Sequence, residues 1–255
     1  MKTIRSLLLL STVGLLSVAP SRADLFTASD VSANEPYASQ ENWNLGDNGG
    51  SGFEGWRQIG AEPSRSLDSG GFAISGDGGA GRSFANGTAL ATGTFSVQAT
   101  HDTQSTISHF SGFALYSAGD TEILRWGVGT AEDRDDGVDK TGFWYSIGTG
   151  GQNDYTLIAR TDTTPLAADY SISWSVFSSG MAIDLSINSG TYTRHLDLDN
   201  SSAVTAIGAL IAGSSQSETL HFDNLEVEGL AVPEPSTLIL LLLGTLALCP
   251  RKLHR

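Results

Sequence analysis

The chain has 255 residues, 16% charged and 40% apolar, with 30 glycines and seven prolines. That mix excludes wholesale disorder, because core-forming side chains are plentiful, and it suits one large or two small turn-rich β domains better than a helical bundle. The net charge is −14, and Asp24 to Val232 alone holds 27 acids against 8 bases, a surface that repels nucleic acid and anionic lipid.

The first 23 residues read as a secretion signal. Lys2 and Arg5 form a charged start, Leu7 to Val18 an apolar stretch too short to span a bilayer, and Ser21 and Ala23 put small residues where a signal peptidase needs them. A signal helix over 1–23, cut between Ala23 and Asp24, is expected. From Asp24 to Arg82 the chain is glycine-rich with isolated aromatics, Trp43, Phe53, Trp56 and Phe72. It reads as the first strands and long loops of the following domain. Gly76 to Gly81 mimics a dinucleotide-binding fingerprint, but no strand–helix–strand unit follows, so a turn is expected.

From Gly93 to Glu228 strand patterns recur, separated by Gly, Ser, Asn and Asp clusters. In "SHFSGFALYS" both parities are apolar, Phe113 and Leu115 on one and Phe110, Ala114 and Tyr116 on the other, so this strand is expected to be buried on both faces. "EILRWGVG" and "GFWYSIG" flank the acidic loop "EDRDDGVD", Glu132 to Asp139. Asp133, Asp135, Asp136 and Asp139 could offer oxygens to Ca²⁺, although the spacing departs from an EF-hand; a solvated acidic turn is the alternative. "SISWSVF" and "MAIDLSIN" alternate cleanly and are joined at Ser178 to Gly180 as a tight hairpin; Asn188-Ser189-Gly190 turns the chain again. A helical turn is possible near Ala203 to Ile211. In "ETLHFDNLEVEG" the apolar parity switches between Phe222 and Leu225, which predicts a β-bulge at Asp223-Asn224. Glu226 and Glu228 share a face and read as a solvated sheet edge. The whole is an all-β, antiparallel two-sheet sandwich of the jelly-roll type over 24–229.

No catalytic constellation stands out. H-E-x-x-H, Walker A and G-x-S-x-G are absent from the sequence, and His101, His109, His195 and His221 are scattered singly. The one cysteine, Cys249, lies near the C-terminus, so the body holds no thiol for disulfide, metal or redox work. Trp43, Trp56, Trp126 and Trp144 are candidates for stacking on sugars; alternation puts Trp126 in the core and Trp144 at the surface.

The chain finishes "VPEPSTLILLLLGTLALCPRKLHR". Thr237 to Cys249 is an apolar run of 13 residues, about 20 Å of helix against a hydrocarbon core of about 30 Å. It is a short transmembrane helix, with the basic cluster at 251–255 favouring the cytoplasmic side and the body outside. The prolines keep Pro233-Glu234-Pro235 extended and unpaired. "VPEPST", the apolar run and the basic end together resemble the PEP-CTERM sorting signal of exopolysaccharide-producing Gram-negative bacteria. The resemblance covers 230–255 and implies recognition of Pro233, Glu234 and Pro235 by an exosortase at the outer face of the inner membrane, then removal of the tail. "FDNLEV" as a closing strand loosely resembles concanavalin A-like and laminin-G-like sandwiches. The expected function is an exported surface or matrix protein without catalytic activity or cofactor. The alternatives are a carbohydrate-binding module linking the cell to exopolysaccharide, and a secreted hydrolase.

Overall fold

The computed structural model describes residues 23–40, 42–102, 109–132, 139–148, 155–160, 166–213 and 218–232. In chain order the strands are β1 (Leu25–Asp30), β2 (Arg57–Ile59), β3 (Ser64–Asp68), β4 (Gly71–Ser75), β5 (Gly78–Ser83), β6 (Leu90–Asp102), β7 (His109–Ser117), β8 (Thr121–Glu132), β9 (Asp139–Ile147), β10 (Thr156–Arg160), β11 (Leu166–Phe177), β12 (Gly180–Ile187), β13 (Tyr192–Leu198), β14 (Ala206–Gly213) and β15 (Thr219–Ala231). Among the described residues, helix is confined to three short 3₁₀ turns, and no helix is long and apolar enough to cross a membrane. The body, Ala23–Val232, is one compact unit. Pro233, Glu234, Pro235 and the apolar run all lie outside the described residues, as does the signal segment up to Arg22.

The body is the expected antiparallel two-sheet sandwich. One sheet has eight strands, ordered β13-β12-β11-β6-β15-β4-β3, with β1 also paired to β15; the other has seven, ordered β10-β9-β8-β7-β14-β5-β2. Alternation explains the strands. Met181, Ile183, Leu185 and Ile187 of β12 point into the core, opposite Tyr170, Ile172 and Trp174 of β11. Phe177 pairs with Gly180, so the hairpin turns on Ser178 and Ser179. Asn188, Ser189 and Gly190 all have positive φ, which carries the chain into β13. Aromatic contacts between the sheets fill the centre: Phe113 of β7 meets Phe95 at 5.8 Å, Tyr170 at 5.6 Å and Phe222 at 6.0 Å between ring centroids.

The glycine-rich N-terminal stretch belongs to this sandwich. β1, β3 and β4 extend one sheet, and β2 and β5 the other. Its loops are pinned by a buried polar cluster. Arg82 pairs with Asp30, and both side chains are fully buried. Arg82 also donates to Asn48 and to the Glu54 carbonyl at 2.8 and 2.9 Å, and it lies over the rings of Phe53 and Trp56. The Tyr37 hydroxyl donates to Asp30 at 2.9 Å and accepts from Trp56 Nε1 and Gly49 N. Burial pushes the Tyr37 phenol up to about 12, which keeps it a donor.

Four details differ from the sequence reading. Ala203 to Ile211 contains no helical turn; it runs into β14, an inner strand between β7 and β5. Gly78 to Gly81 is strand β5 rather than turn. β15 is not an edge: it pairs with β6 on one side and with β1 and β4 on the other, so Glu226 and Glu228 stand on an open sheet face. Trp144 is 1% exposed, and Trp43, Trp56, Trp126 and Trp174 are buried too; none of the five tryptophans is free to stack on a sugar. Trp144 is covered because β7 is apolar on both faces, as expected. Phe110, Ala114, Tyr116, Trp144, Tyr155, Ala206 and Leu210 make a second apolar cluster on the outer side of the seven-stranded sheet.

Replacing Arg82 by Ala leaves the Asp30 carboxylate buried without its cation. Urea unfolding of Arg82→Ala should show a loss of about 3–5 kcal/mol; an unchanged midpoint would contradict the clamp.

Candidate functional site

The outer face of the eight-stranded sheet carries the side chains that alternate away from the core. On β6 these include Thr94, Ser96 and Gln98, on β11 Asp169, Ser171 and Ser173, and on β12 Asp184 and Ser186. Such a face is flat in a regular sheet. Here β15 breaks it. Phe222 and Leu225 both point inward, and the register with β6 slips between Asp223 and Glu226. Asp223 still pairs with Gln98 and Glu226 with Ser96, so Asn224 and Leu225 together face the single Val97, one residue along from the predicted pair, and Asn224 takes a left-handed backbone (φ 54°). Asparagine tolerates that region better than most residues, and bulges commonly re-aim side chains beside binding sites.

The bulge is held from several sides. The Asp223 carboxylate accepts from Ser32 N and Ser32 Oγ, each at 2.8 Å, and from Asn224 N at 2.9 Å. Asn224 Nδ2 donates to Gln98 Oε1 at 2.7 Å. Gln98 stands opposite Asp169 on one side and Asp223 on the other. At the end of the row the Asn188 side chain accepts from Asp169 N at 3.2 Å. The row Asn188–Asp169–Gln98–Asn224 borders a groove of about 460 Å³. A second groove of about 380 Å³ shares Gln98, Asp169 and Asn224 with it. A third, of about 250 Å³ between β6, β15 and β1, shares Ser96 and Glu226 with the second. Together they form one trough from β12 to β1. Its walls are hydroxyls, amides and carboxylates. Among the described residues, the carboxylates of Asp169, Glu226 and Glu228 have no hydrogen-bond partner, so they are open to a ligand's donors.

Two other polar clusters lie away from the trough. Ser111 and His101 are within the reach of a nucleophile and its base, at 2.8 Å. Both are buried, however, and the other His101 nitrogen contacts the Tyr170 hydroxyl at 2.7 Å. Burial holds the Tyr170 phenol well above its usual range, so it stays a neutral hydroxyl. This chain bolts one sheet to the other. On the seven-stranded sheet Arg125 grips Glu122 through two bonds of 2.7 Å and donates to Tyr155 at 3.1 Å. Burial works against the Arg125 charge, but its bonds to Glu122 raise its pKa. These groups satisfy each other.

The sequence-predicted site residues fare unevenly. Ala23 and Asp24 immediately precede β1, and the Asp24 carbonyl accepts from Ala231 N at 3.0 Å. Asp133, Asp135 and Asp136 lie outside the described residues; Asp139 opens β9, its backbone opposite Glu132. No group of three or more His, Cys, Asp or Glu placed to hold a metal ion occurs among the described residues. Gln98, Asp169 and Asn188 escaped the sequence reading. They lie on three different strands or turns and carry no local motif; only the bulge was signalled.

The fold and trough define a β-sandwich with a polar sheet-face groove. No protein-family model and no curated protein sequence matches the chain. Solved structures similar to it include an alginate lyase from Pseudomonas aeruginosa, with 10% identity, 66% of this chain and 87% of that one covered, and a TM-score of 0.48. The metal-free carbohydrate recognition domain of Emp46p has 9% identity, coverage of 68% and 87%, and a TM-score of 0.44. Domain 4 of an extracellular arabinanase from Geobacillus stearothermophilus, solved with arabinotriose, has 14% identity, coverage of 83% and 95%, and a TM-score of 0.40. These similarities are low, and the chemistry of the trough rests on its own residues.

If Asn224 sets the bulge, Asn224→Gly should keep near-native stability, whereas Asn224→Ala should lose about 1–2 kcal/mol in urea unfolding. Equal stability of the two variants would show that the left-handed backbone is not a constraint.

Proposed function

We propose that this protein is a non-catalytic surface or matrix component that binds polysaccharide through the trough. The trough carries the reading: a line of open hydrogen-bonding side chains crosses the sheet instead of a small closed pocket. Neither polar cluster outside it presents an accessible reacting group. From β12 through β11, β6 and β15 to β1 there are four strand steps, about 19 Å at ~4.8 Å per step. A site of that length suits a chain of sugars better than a single one. Carboxylates, amides and hydroxyls match sugar hydroxyls in donor and acceptor capacity. Each such bond contributes only about 0.5–1.5 kcal/mol net, so single-site affinity is modest and retention on a polymer relies on repeated engagement.

Delivery completes the proposal. The protein is exported by its signal segment, anchored in the inner membrane through 237–249, and released or passed to the surface when an exosortase acts at Pro233-Glu234-Pro235. This reading is supported by the sequence order of tripeptide, apolar run and basic end. The body's ladders run from Leu25 to Ala231, so neither the tripeptide nor the Ala23–Asp24 bond is needed for strand pairing.

Mass spectrometry of the mature protein should find Asp24 at the N-terminus and a C-terminus near Pro233; an intact Arg255 would contradict processing. In affinity electrophoresis through polysaccharide gels, the Gln98→Ala/Asp169→Ala double variant should lose about tenfold in retention, equivalent to roughly 1.4 kcal/mol. Unaltered retention would place binding elsewhere.

A further inference from the structure

The charge of the trough narrows its ligand further, given the polysaccharide reading above. Among the described residues, no Lys or Arg borders any of its three grooves. Asp169, Glu226 and Glu228 face outward along it and are exposed, and the Asp223 carboxylate sits at the bulge between them. Farther along the same face, Asp184 and Asp197 flank the exposed imidazole of His195 at 2.6 and 3.5 Å. Carboxylates only accept hydrogen bonds, so a ligand must bring donors to this line.

Aromatic stacking does not contribute. Tyr170, which borders the middle groove, is buried with its ring against Phe113 and Phe143 in the core. Recognition therefore falls to hydrogen bonds and charge. A uronic-acid or sulfated glycan would set its own anions against three unpaired carboxylates, a like-charge juxtaposition that suppresses binding. Sugar hydroxyls supply neutral donors. An amino group supplies up to three donors and a positive charge, and bonds to charged groups are about twice as strong as neutral ones.

We infer that the trough takes an extended glycan free of acidic groups, and takes an amino-sugar chain most tightly. Binding of the amino chain is then salt-dependent and that of a neutral chain much less so, because screening shortens the reach of exposed charges.

The test uses the full-length protein in a non-glycosidic detergent. Titration calorimetry compares three probes: a de-acetylated chito-oligosaccharide, a neutral gluco-oligosaccharide and an oligo-uronate. The amino probe should bind at least tenfold more tightly than the neutral one at low salt, the uronate should not bind, and raising the salt should erode the amino preference. The variant Asp169→Asn/Glu226→Gln/Glu228→Gln, whose changes are near-isosteric and exposed, should cut the ratio of amino to neutral affinity at least tenfold. Uronate binding as tight as that of the neutral probe would overturn the charge inference while leaving the polysaccharide reading in place. An amino preference that survives the triple variant would also overturn it, since the attraction would then come from the acidic surface at large. Failure of all three probes to bind would overturn both readings.

Discussion

The organisation of this protein depends on where its last strand goes. β15 closes the chain of the body, yet it lies inside the eight-stranded sheet, paired with β6 on one side and with β1 and β4 on the other. β1, and the β3–β4 hairpin through β4, therefore join this sheet only when the C-terminal strand is in place. Such pairings carry a high loop-closure cost and make folding slow. The same strand holds the bulge, so the element that completes the sheet also breaks its flatness. The trough exists because Asp223 and Asn224 both leave the core face at the point where β6 and β11 present Gln98 and Asp169.

A second constraint fixes the glycine-rich stretch. The segment around Tyr37 to Trp56 buries Tyr37, Trp43, Phe53 and Trp56 in the core, and polar groups tie its backbone down as well. Arg82 is the hub: one guanidinium meets Asp30, Asn48 and the Glu54 carbonyl while two aromatic rings cover it. A charge buried this deeply is tolerated only because its donors are matched. The cluster also anchors β1 through Asp30, and β1 in turn flanks Glu226 and Glu228 through Ser29 and Thr27. The far end of the trough thus depends on a cluster inside the body.

Much of the fold was legible because the core is built by alternation. β11 and β12 show period-two patterns, and the parity switch between Phe222 and Leu225 located the bulge to within one residue. The failures have physical causes. "AIGALIAG" is apolar at both parities, and a short run of that kind does not distinguish a strand from a helix by period. Trp144 opposes its core-facing neighbours, but the outer side of its sheet has an apolar layer of its own, which one strand's pattern cannot reveal. Glu226 and Glu228 read as an edge because sequence position says nothing about rank within a sheet. The trough itself was largely invisible: Asn188, Asp169, Gln98 and Asn224 are brought together by pairing across β11, β6 and β15, and each alone looks like an ordinary solvated side chain.

The central claim is that the bulged face of the eight-stranded sheet is where a glycan binds. Amide chemical-shift mapping of the ¹⁵N-labelled protein, titrated with a partly de-acetylated chito-oligosaccharide, tests this most directly. Shifts concentrated at Gln98, Asp169, Asn188 and Asn224, with the Trp144 indole unmoved, are predicted. Shifts centred on Trp144 and Tyr155 of the opposite sheet would contradict the claim.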